Sequence, residues 1–199
     1  MNYFVTGIDT DSGKTLVSAI LCEALGFDYW KPVQAGFPKD SETIKSLSPQ
    51  TKIHPEQYIL NTPASPHASA KIDGVHISLD AFSLPKRDGL VIEGAGGCMV
   101  PLNDSNFVID LFPKLNAEII LVADLYLGSI NHTLLSAHLL KTRNYRVRGI
   151  IFNGPSNLES EQIILHHTQY PCILRIEKEK EITSATIKKY SDQLRKNLS

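Results

Sequence analysis

The residues with the clearest chemical meaning lie near the N-terminus, in the segment Gly7-Ile8-Asp9-Thr10-Asp11-Ser12-Gly13-Lys14-Thr15. An apolar run typical of a strand precedes this segment, and a run typical of a helix follows it. In that context, successive N–H groups at the start of the helix can cradle phosphate. We therefore predict that the phosphates of a nucleoside triphosphate are bound by Asp11, Ser12, Gly13, Lys14, Thr15 and Leu16.

Two side chains of this loop have distinct chemistry. Lys14 can bring its charge to the β- and γ-phosphate oxygens, and the hydroxyl of Thr15 is a suitable ligand for Mg²⁺. Five residues separate Gly7 from Gly13, one more than in the common phosphate loop, which is the spacing of a deviant subgroup. A glycine turn followed by Lys-Thr through chance is disfavoured, because a strand and a helix flank the segment.

Further charged residues lie at the ends of predicted strands. Lys31 ends the second strand and Glu93 ends another, while Asp40 follows shortly after Lys31. Because parallel strands bring their carboxyl ends to one crevice, we expect Lys31 beside Lys14. Thr15, Asp40 and Glu93 together provide the oxygen ligands that Mg²⁺ prefers. For Asp40, an N-cap of the next helix is an equally open alternative.

Strand patterns alternate with helical patterns along the whole chain, and several strands are apolar on successive residues, which indicates helices on both faces of the sheet. The pattern predicts a single α/β domain over residues 1–199, with a doubly wound, mostly parallel sheet flanked by helices, similar to P-loop NTPases. The predicted strands are 3–6, 29–32, 89–93, 118–123, 147–153 and 172–176. The predicted helices are 13–25, 41–46, 107–115, 131–143, 159–167 and 182–197, and residues 45–84 are predicted to form loops and short helices.

Composition narrows the classes of partner. The 199 residues carry a net charge of −1, so no basic face is expected and neither nucleic acid nor a membrane is a predicted partner. Cys22, Cys98 and Cys172 are far apart without a metal-binding spacing, which indicates free thiols in a reducing compartment. The N-terminus shows no signal-peptide pattern, and no apolar run approaches the ~20 residues of a membrane span. We therefore expect a cytoplasmic location.

Five motifs occur in the order in which the dethiobiotin synthetase family has them. They are T-G-x-D-T-x-x-G-K-T at the phosphate loop, K-P-V-x-x-G from Lys31, S-P-H from Ser65, E-G-A-G-G from Glu93 and L-G-S-I-N-H from Leu127. The chain resembles this family over about residues 3–153. Amidoligases of corrinoid synthesis share the loop and E-G-A-G-G, but the other segments favour the first family.

The resemblance implies an activity and roles for residues. The family converts 7,8-diaminopelargonate, CO₂ and ATP with Mg²⁺ into dethiobiotin, ADP and phosphate, in a homodimer with the active site at the interface. By resemblance, Lys31 and Lys14 are catalytic and Thr15, Asp40 and Glu93 bind the metal. Nucleotide contacts are extended to Asp40, Glu93, Gly94, Ala95, Gly96, Asn153 and Gly154. Substrate contacts are assigned to Thr10, Lys31, Gly128, Ser129 and Asn131. From local sequence alone, Asn153 could equally be a turn residue before a glycine.

The sequence differs from the family pattern at two places, and two other functions were considered. Gln34-Ala35 offers no hydroxyl where the family often has one, and Tyr126 stands where some members carry a basic residue. An ATPase switch of the partitioning or maturation type is the alternative, but its loop usually holds a second lysine, and Ile8-Asp9-Thr10-Asp11 has none. A small-molecule kinase is disfavoured because no segment resembles a lid with paired arginines.

Overall fold

The computed structural model describes residues 1–198, and nine strands follow one another in that part of the chain. They are β1 Asn2–Gly7, β2 Asp28–Trp30, β3 Val33–Ala35, β4 Ile53–His54, β5 Tyr58–Leu60, β6 Leu90–Gly97, β7 Ala117–Asp124, β8 Val147–Asn153 and β9 Cys172–Ile176. Seven strands form a parallel sheet in the order β4-β2-β6-β1-β7-β8-β9, and β3 pairs with β5 separately. The predicted fold class is therefore confirmed.

Helices connect these strands. Within the described residues they are α1 Lys14–Leu25, α2 Asp40–Leu47, α3 Pro66–Asp73, α4 Ser129–Thr142, α5 Leu158–Thr168 and α6 Ser184–Leu198. Two shorter segments, Leu79–Ala81 and Val108–Lys114, are 3₁₀ helices. The prediction of an α-helix at 107–115 is thus wrong, since the segment is a 3₁₀ helix. Pro113 lies inside it, and in an α-helix its ring would clash with the carbonyl four residues earlier, which disfavours the α form here.

Both faces of the sheet are covered, as β1 illustrates. Tyr3 and Val5 belong to the apolar cluster formed with α1 and α6, whereas Phe4 belongs to the cluster on the opposite face with Val108 and Phe112. Side chains alternate between the two faces of a strand, so cover on both sides buries every residue of β1. This arrangement explains why the strands are apolar on successive residues.

The second strand ends earlier than predicted. It was expected to extend to Pro32, but β2 stops at Trp30, and Lys31 and Pro32 connect it to β3. Pro32 has no N–H for a ladder, and its carbonyl instead accepts hydrogen bonds at 3.0 Å from the N–H groups of Gln57 and Tyr58. Lys31 therefore leaves the sheet at its carboxyl edge.

The stretch 45–84 contains the expected short helices but also two strands that were not predicted. β4 is an edge strand of the main sheet, and β5 pairs with β3. These strands have only two and three residues, too few for an alternating pattern to appear in the sequence.

The C-terminal helix α6 packs against α1. Ile187 and Leu194 are fully buried, and Ser191 Oγ donates a hydrogen bond to the carbonyl of Ile20 at 3.0 Å. No helix among residues 1–198 is long and apolar enough to cross a membrane. The cytoplasmic location remains a prediction.

Candidate active site

A cavity of about 620 Å³ opens at the carboxyl edge of the sheet. The phosphate loop, the segment after β2, the start of α3 and the end of β6 form its walls. Ten of the predicted site residues line this cavity: Thr10, Asp11, Gly13, Lys14, Thr15, Lys31, Asp40, Glu93, Ala95 and Gly96. Residues far apart in the sequence meet here because parallel strands end at the same edge.

The phosphate loop turns directly into α1 at Gly13. Lys14 Nζ donates to the carbonyl oxygens of Asp9 at 2.8 Å and Thr10 at 2.6 Å, and Ser12 Oγ donates to Asp9 at 3.0 Å. Burial lowers the pKa of Lys14, and the positive charge of Lys31 lowers it further. The negative charge of Glu93 opposes this shift without cancelling it. The loop carbonyls thus hold the ammonium group of Lys14 in place, close enough to Lys31 for the two charges to interact.

Gly13 occupies a backbone conformation that a side chain would disturb in two ways. Its φ is +95°, and a Cβ there would lie 2.3 Å from Nδ2 of Asn153. We expect Gly13→Ala to lower the free energy of unfolding by about 1–2 kcal/mol through the left-handed conformation alone. Displacement of Asn153 should also weaken ATP binding by about tenfold, since its part-buried hydrogen bond to the carbonyl of Ser12 would be lost.

Gly26 provides a matched control for this substitution. Its φ is +65°, and a Cβ there would meet nothing within 4 Å. Gly26→Ala should therefore lose similar stability in thermal unfolding while its ATP dissociation constant, measured by calorimetric titration, stays that of the parent protein. Equal ATP affinity in both variants would show that the approach of Asn153 to Gly13 is unimportant.

Lys31 is buried between two carboxylates. Its ammonium group contacts the carboxylate of Asp40 and lies 3.1 Å from Glu93 Oε1. Burial alone lowers the pKa of Lys31, but Glu93 and Asp40 together outweigh burial and raise it. Lys31 is therefore a cation held in place by two anions.

Asp40 is not the N-cap of α2. The cap position belongs to Lys39, and Asp40 is the first residue of the helix, with its carboxylate directed to Lys31. The alternative of a capping aspartate is thus wrong. The carboxylate instead forms one wall of the cation site.

Glu93 is the most connected carboxylate of the cavity, with a side chain that is only 1% exposed. Its Oε1 accepts hydrogen bonds from Thr15 Oγ1 at 3.0 Å and from Lys31, and its Oε2 accepts one from the Tyr29 hydroxyl at 3.0 Å. Burial, followed by the charge of Glu93, raises the pKa of Tyr29 well above its usual value. Tyr29 therefore remains a donor that fixes the orientation of Glu93.

The donor set of this cavity fits Mg²⁺. Thr15 supplies a hydroxyl and Asp40 and Glu93 supply carboxylates, the hard oxygen ligands that Mg²⁺ takes together with phosphate and water. The ammonium group of Lys31 already lies between the two carboxylates, so the surroundings favour positive charge. The assignment of the metal ligands remains a prediction.

The glycine-rich end of β6 approaches the phosphate loop closely. A Cβ at Gly96 would lie 3.5 Å from Thr10 Oγ1, and one at Gly97 would lie 3.3 Å from the carbonyl oxygen of Gly7. Ala95 and Gly96 line the cavity, whereas Gly94 packs against the core, where a Cβ would come within 3.1 Å of Phe4. Of the two approaches, the one at Gly97 is tighter than ordinary van der Waals contact, so glycine at this position lets β6 lie close to the loop.

Asn153 contacts the phosphate loop from outside this cavity, and Gly154 follows it in the chain. Asn153 Nδ2 donates to the carbonyl of Ser12 at 3.1 Å, and neither Asn153 nor Gly154 lines the cavity that contains Lys31. Asp11 is exposed on the cavity wall, while Leu16 packs against the apolar core. The structure thus groups Asn153 with the loop; its contact with a nucleotide base is untested.

The three predicted substrate residues at the start of α4 are separate from this cavity. Gly128 is the N-cap, Ser129 is buried and Asn131 is exposed, and none of them lines the cavity. They follow β7, which lies on the far side of β1 from β6. The described chain therefore does not bring them to the lysines by itself.

Sequence reasoning missed Tyr29 and the role of Gln34. Alternation along an extended chain places Tyr29 and Lys31 on the same side, and this was the available signal for Tyr29. Gln34 Oε1 accepts the N–H of Asp40 at 3.1 Å, and its Nε2 donates to the carbonyl of Gly36 at 3.0 Å. Gln34 thus shapes the wall at the position that lacks the family's hydroxyl.

A phosphate-binding loop between the central strand of a parallel sheet and its first helix defines the class of P-loop NTPases. A ParA family ATPase from Chlorobium tepidum TLS has this fold with a TM-score of 0.57 and 15% identity, covering 99% of this chain and 96% of that chain. The septum site-determining protein MinD complexed with Mg-ADP from Pyrococcus horikoshii OT3 matches with a TM-score of 0.58 and 17% identity, covering 99% and 93%. At such identities the likeness shows the fold alone.

Sequence relatives identify the family within that class. A family model described as an AAA domain matches residues 1–186. ATP-dependent dethiobiotin synthetase BioD of Cytophaga hutchinsonii is 57% identical over 197 residues, which covers 96% of each chain, and that of Christiangramia forsetii is 45% identical over 202 residues, covering 99% of this chain and 97% of the relative. The chain belongs to the ATP-dependent dethiobiotin synthetase family, and with it to the ATP-dependent ligases.

Proposed function

We propose that this protein is a dethiobiotin synthetase, which joins CO₂ to 7,8-diaminopelargonate and closes a cyclic urea at the expense of ATP. One observation carries the proposal beyond family membership. Lys31 is buried between Asp40 and Glu93 in the same cavity that contains the phosphate-loop lysine, Lys14. A binding loop that only held nucleotide would not require this second, fixed cation.

Two cations are suited to the first steps of the reaction, in which negatively charged groups must approach each other. One substrate amine attacks CO₂ and loses a proton, which gives a carbamate anion. A carbamate oxygen then attacks the γ-phosphorus as the bond to ADP breaks, so two anions must approach each other. Lys14 stabilises the phosphate side and Lys31 the carbamate side, where negative charge develops in the transition state.

Ring closure completes the reaction. The second amine attacks the carbonyl carbon of the carbamic–phosphoric anhydride, the carbon–oxygen bond to phosphate breaks, and the amine loses a proton. Inorganic phosphate leaves and the cyclic urea remains. Lys14 and Lys31 can both stabilise the departing phosphate, and Thr10, which lines the same cavity, can bond to a substrate amine.

We further propose that the enzyme uses Mg²⁺, held by Thr15, Asp40 and Glu93. When bound, the ion would neutralise charge on the β- and γ-phosphates. Glu93 is oriented for this role by Tyr29, and Thr15 already hydrogen-bonds to it. On the opposite side of the loop, Asn153 has the amide donor and acceptor needed to bind a nucleotide base edge.

We also propose a homodimer. Several apolar side chains at the start of α4 are exposed, with Leu127 at 104% and Leu135 at 60%, beside the half-exposed Tyr126 and Ile130. Such a patch around Gly128 is typical of an interface, and a partner there would bring this helix start to a second active site. Sedimentation equilibrium should give the mass of two chains; a single chain at micromolar concentration would contradict the dimer.

Coupled ADP release tests the proposed function. Bicarbonate and 7,8-diaminopelargonate should together stimulate ADP release from MgATP far above the rate without the diamine. Equal ADP release with and without the diamine would refute the ligase proposal and favour an ATPase switch instead.

A further inference from the structure

Arg175 lies at the ends of β8 and β9, outside the cavity of the two lysines. It is on β9 opposite Phe152 of β8, one residue before the pair formed by Asn153 and Ile176. Its side chain is only 20% exposed, so its charge needs partners within the protein. None of the catalytic steps described above uses Arg175.

The guanidinium group of Arg175 holds the turn that follows Asn153. Its Nη1 donates to the carbonyl of Gly154 at 3.1 Å and to that of Ile176 at 3.3 Å. Its Nη2 lies 2.8 Å from Glu161 Oε1, as an ion pair rather than a well-aligned hydrogen bond. Glu177 Oε1 lies farther away, at 3.6 Å from Nη1.

Glu161 holds the other end of the same turn. Its Oε1 accepts the N–H of Asn157, the N-cap of α5, at 3.3 Å, and its side chain is 10% exposed. Arg175 and Glu161 therefore join Gly154 to the start of α5 through a single buried ion pair. The planar guanidinium group can bond in several fixed directions at once, which a lysine cannot do.

A continuous series of contacts leads from this ion pair to the phosphate loop. The N–H of Gly154 donates to the carbonyl of Ile176 at 3.0 Å, and the carbonyl of Asn153 accepts the N–H of Leu125 at 3.1 Å. The side chain of Asn153 then donates to Ser12 at 3.1 Å. Because Asn153 is fixed on both sides, its amide lies directly against the residues that cradle phosphate.

We propose that Arg175, paired with Glu161, is a positioning residue for nucleotide binding: it fixes the turn after Asn153 and so holds that amide against the phosphate loop. This inference rests on the proposed nucleotide site but not on the identity of the second substrate. Arg175 itself does not touch the reacting atoms. Its loss should weaken the nucleotide complex selectively.

The test compares Arg175→Met with a matched arginine, Arg195→Met. Arg195 also bonds two carbonyls and one carboxylate, those of Ala24, Glu23 and Asp192, but at the opposite end of α1 from the loop. In calorimetric titration, Arg175→Met should raise the dissociation constant of ADP about tenfold, as expected for lost buried hydrogen bonds. Arg195→Met should leave it unchanged, although both variants melt at a lower temperature.

Further measurements separate positioning from general damage. At saturating ATP, the KM for the diamine should be unchanged in Arg175→Met. At saturating diamine, the KM for ATP should rise. Glu161→Gln should change ADP affinity in the same direction by a smaller factor, and Arg175→Lys should not restore it fully. ADP affinity within twofold of the parent value in Arg175→Met would overturn the inference.

The proposed function can fail independently of this inference. ADP titration needs no diamine, so a protein without ligase activity would still reveal a weaker ADP complex in Arg175→Met. Conversely, normal ligase activity with unchanged ADP affinity in this variant would remove Arg175 from the nucleotide site while leaving the ligase proposal intact.

Discussion

Replacing Lys31 with methionine should lower kcat for ADP formation by about a thousandfold, the upper range for removing a group that stabilises charge in the transition state. Methionine retains much of the length of the side chain but removes the charge that faces the carbamate. The ADP dissociation constant should change little, because Lys14 and the loop backbone remain. The measurement is steady-state kinetics together with ADP titration of the same preparations.

Loss of Lys31 also leaves Glu93 without its ammonium partner, and breaking a buried pair costs about 3–5 kcal/mol. Lys31→Arg separates the two effects, since it keeps a positive charge between the carboxylates but moves its centre. We expect this variant to fold and to remain nearly inactive. Wild-type turnover in either variant would remove Lys31 from the mechanism.

Lys39 is the matched control for Lys31. It forms an ion pair with Glu56, with Nζ 3.4 Å from Oε2, and neither residue lines the cavity. Lys39→Met should therefore retain kcat and both KM values. A loss of kcat comparable to that of Lys31→Met would indicate that replacing lysines near α2 lowers activity by disturbing the fold, and not by removing a catalytic charge.

Replacing Glu93 with glutamine should raise the Mg²⁺ concentration for half-maximal activity by about ten- to a hundredfold, the effect typical of altering a metal ligand or its support. The amide keeps the shape of the side chain but loses the negative charge that Mg²⁺ prefers. A direct titration with Mn²⁺ in the presence of ADP should show the same loss without reliance on turnover.

Two further variants test whether the effect of Glu93→Gln on the Mg²⁺ requirement is specific. Tyr29→Phe removes only the hydroxyl that bonds Glu93 Oε2, so a smaller shift in the same direction is expected. Glu56→Gln changes a carboxylate that is nearly as buried, at 6% exposed, but bonds Ser41 and Lys39 outside the cavity, and it should leave the Mg²⁺ requirement unchanged. An unaltered Mg²⁺ titration in Glu93→Gln would exclude Glu93 as a ligand.

The sequence predicted the sheet and the phosphate loop because both depend on local patterns. Apolar runs buried on both faces indicate the long strands, and a glycine loop between a strand and a helix indicates the phosphate-loop conformation. The short strands β4 and β5 gave no such pattern, since two or three residues show no periodicity. Proline explains the early end of β2, at Pro32, and the 3₁₀ form around Pro113. The prediction that Glu93 ends its strand was also wrong, because β6 continues to Gly97.

The sequence predicted which residues share the site but not how they contact one another. Lys31, Asp40 and Glu93 could be assigned to one edge because strand ends converge there, but the contacts among them depend on side-chain packing. The sequence left the cap and ligand roles of Asp40 equally open. The cap is excluded because α2 begins one residue earlier than predicted, at Asp40 itself, and the carboxylate contacts Lys31. Likewise, Tyr29 was hidden within a core strand, where a buried tyrosine ordinarily serves packing.

The most direct test of the ligase proposal follows the carbon atom. The protein is incubated with MgATP, 7,8-diaminopelargonate and ¹³C-labelled bicarbonate, and the product is analysed by mass spectrometry and carbon NMR. The proposal predicts one labelled carbon in a cyclic urea, formed in equal amount with ADP. ADP formed without labelled cyclic urea would contradict it.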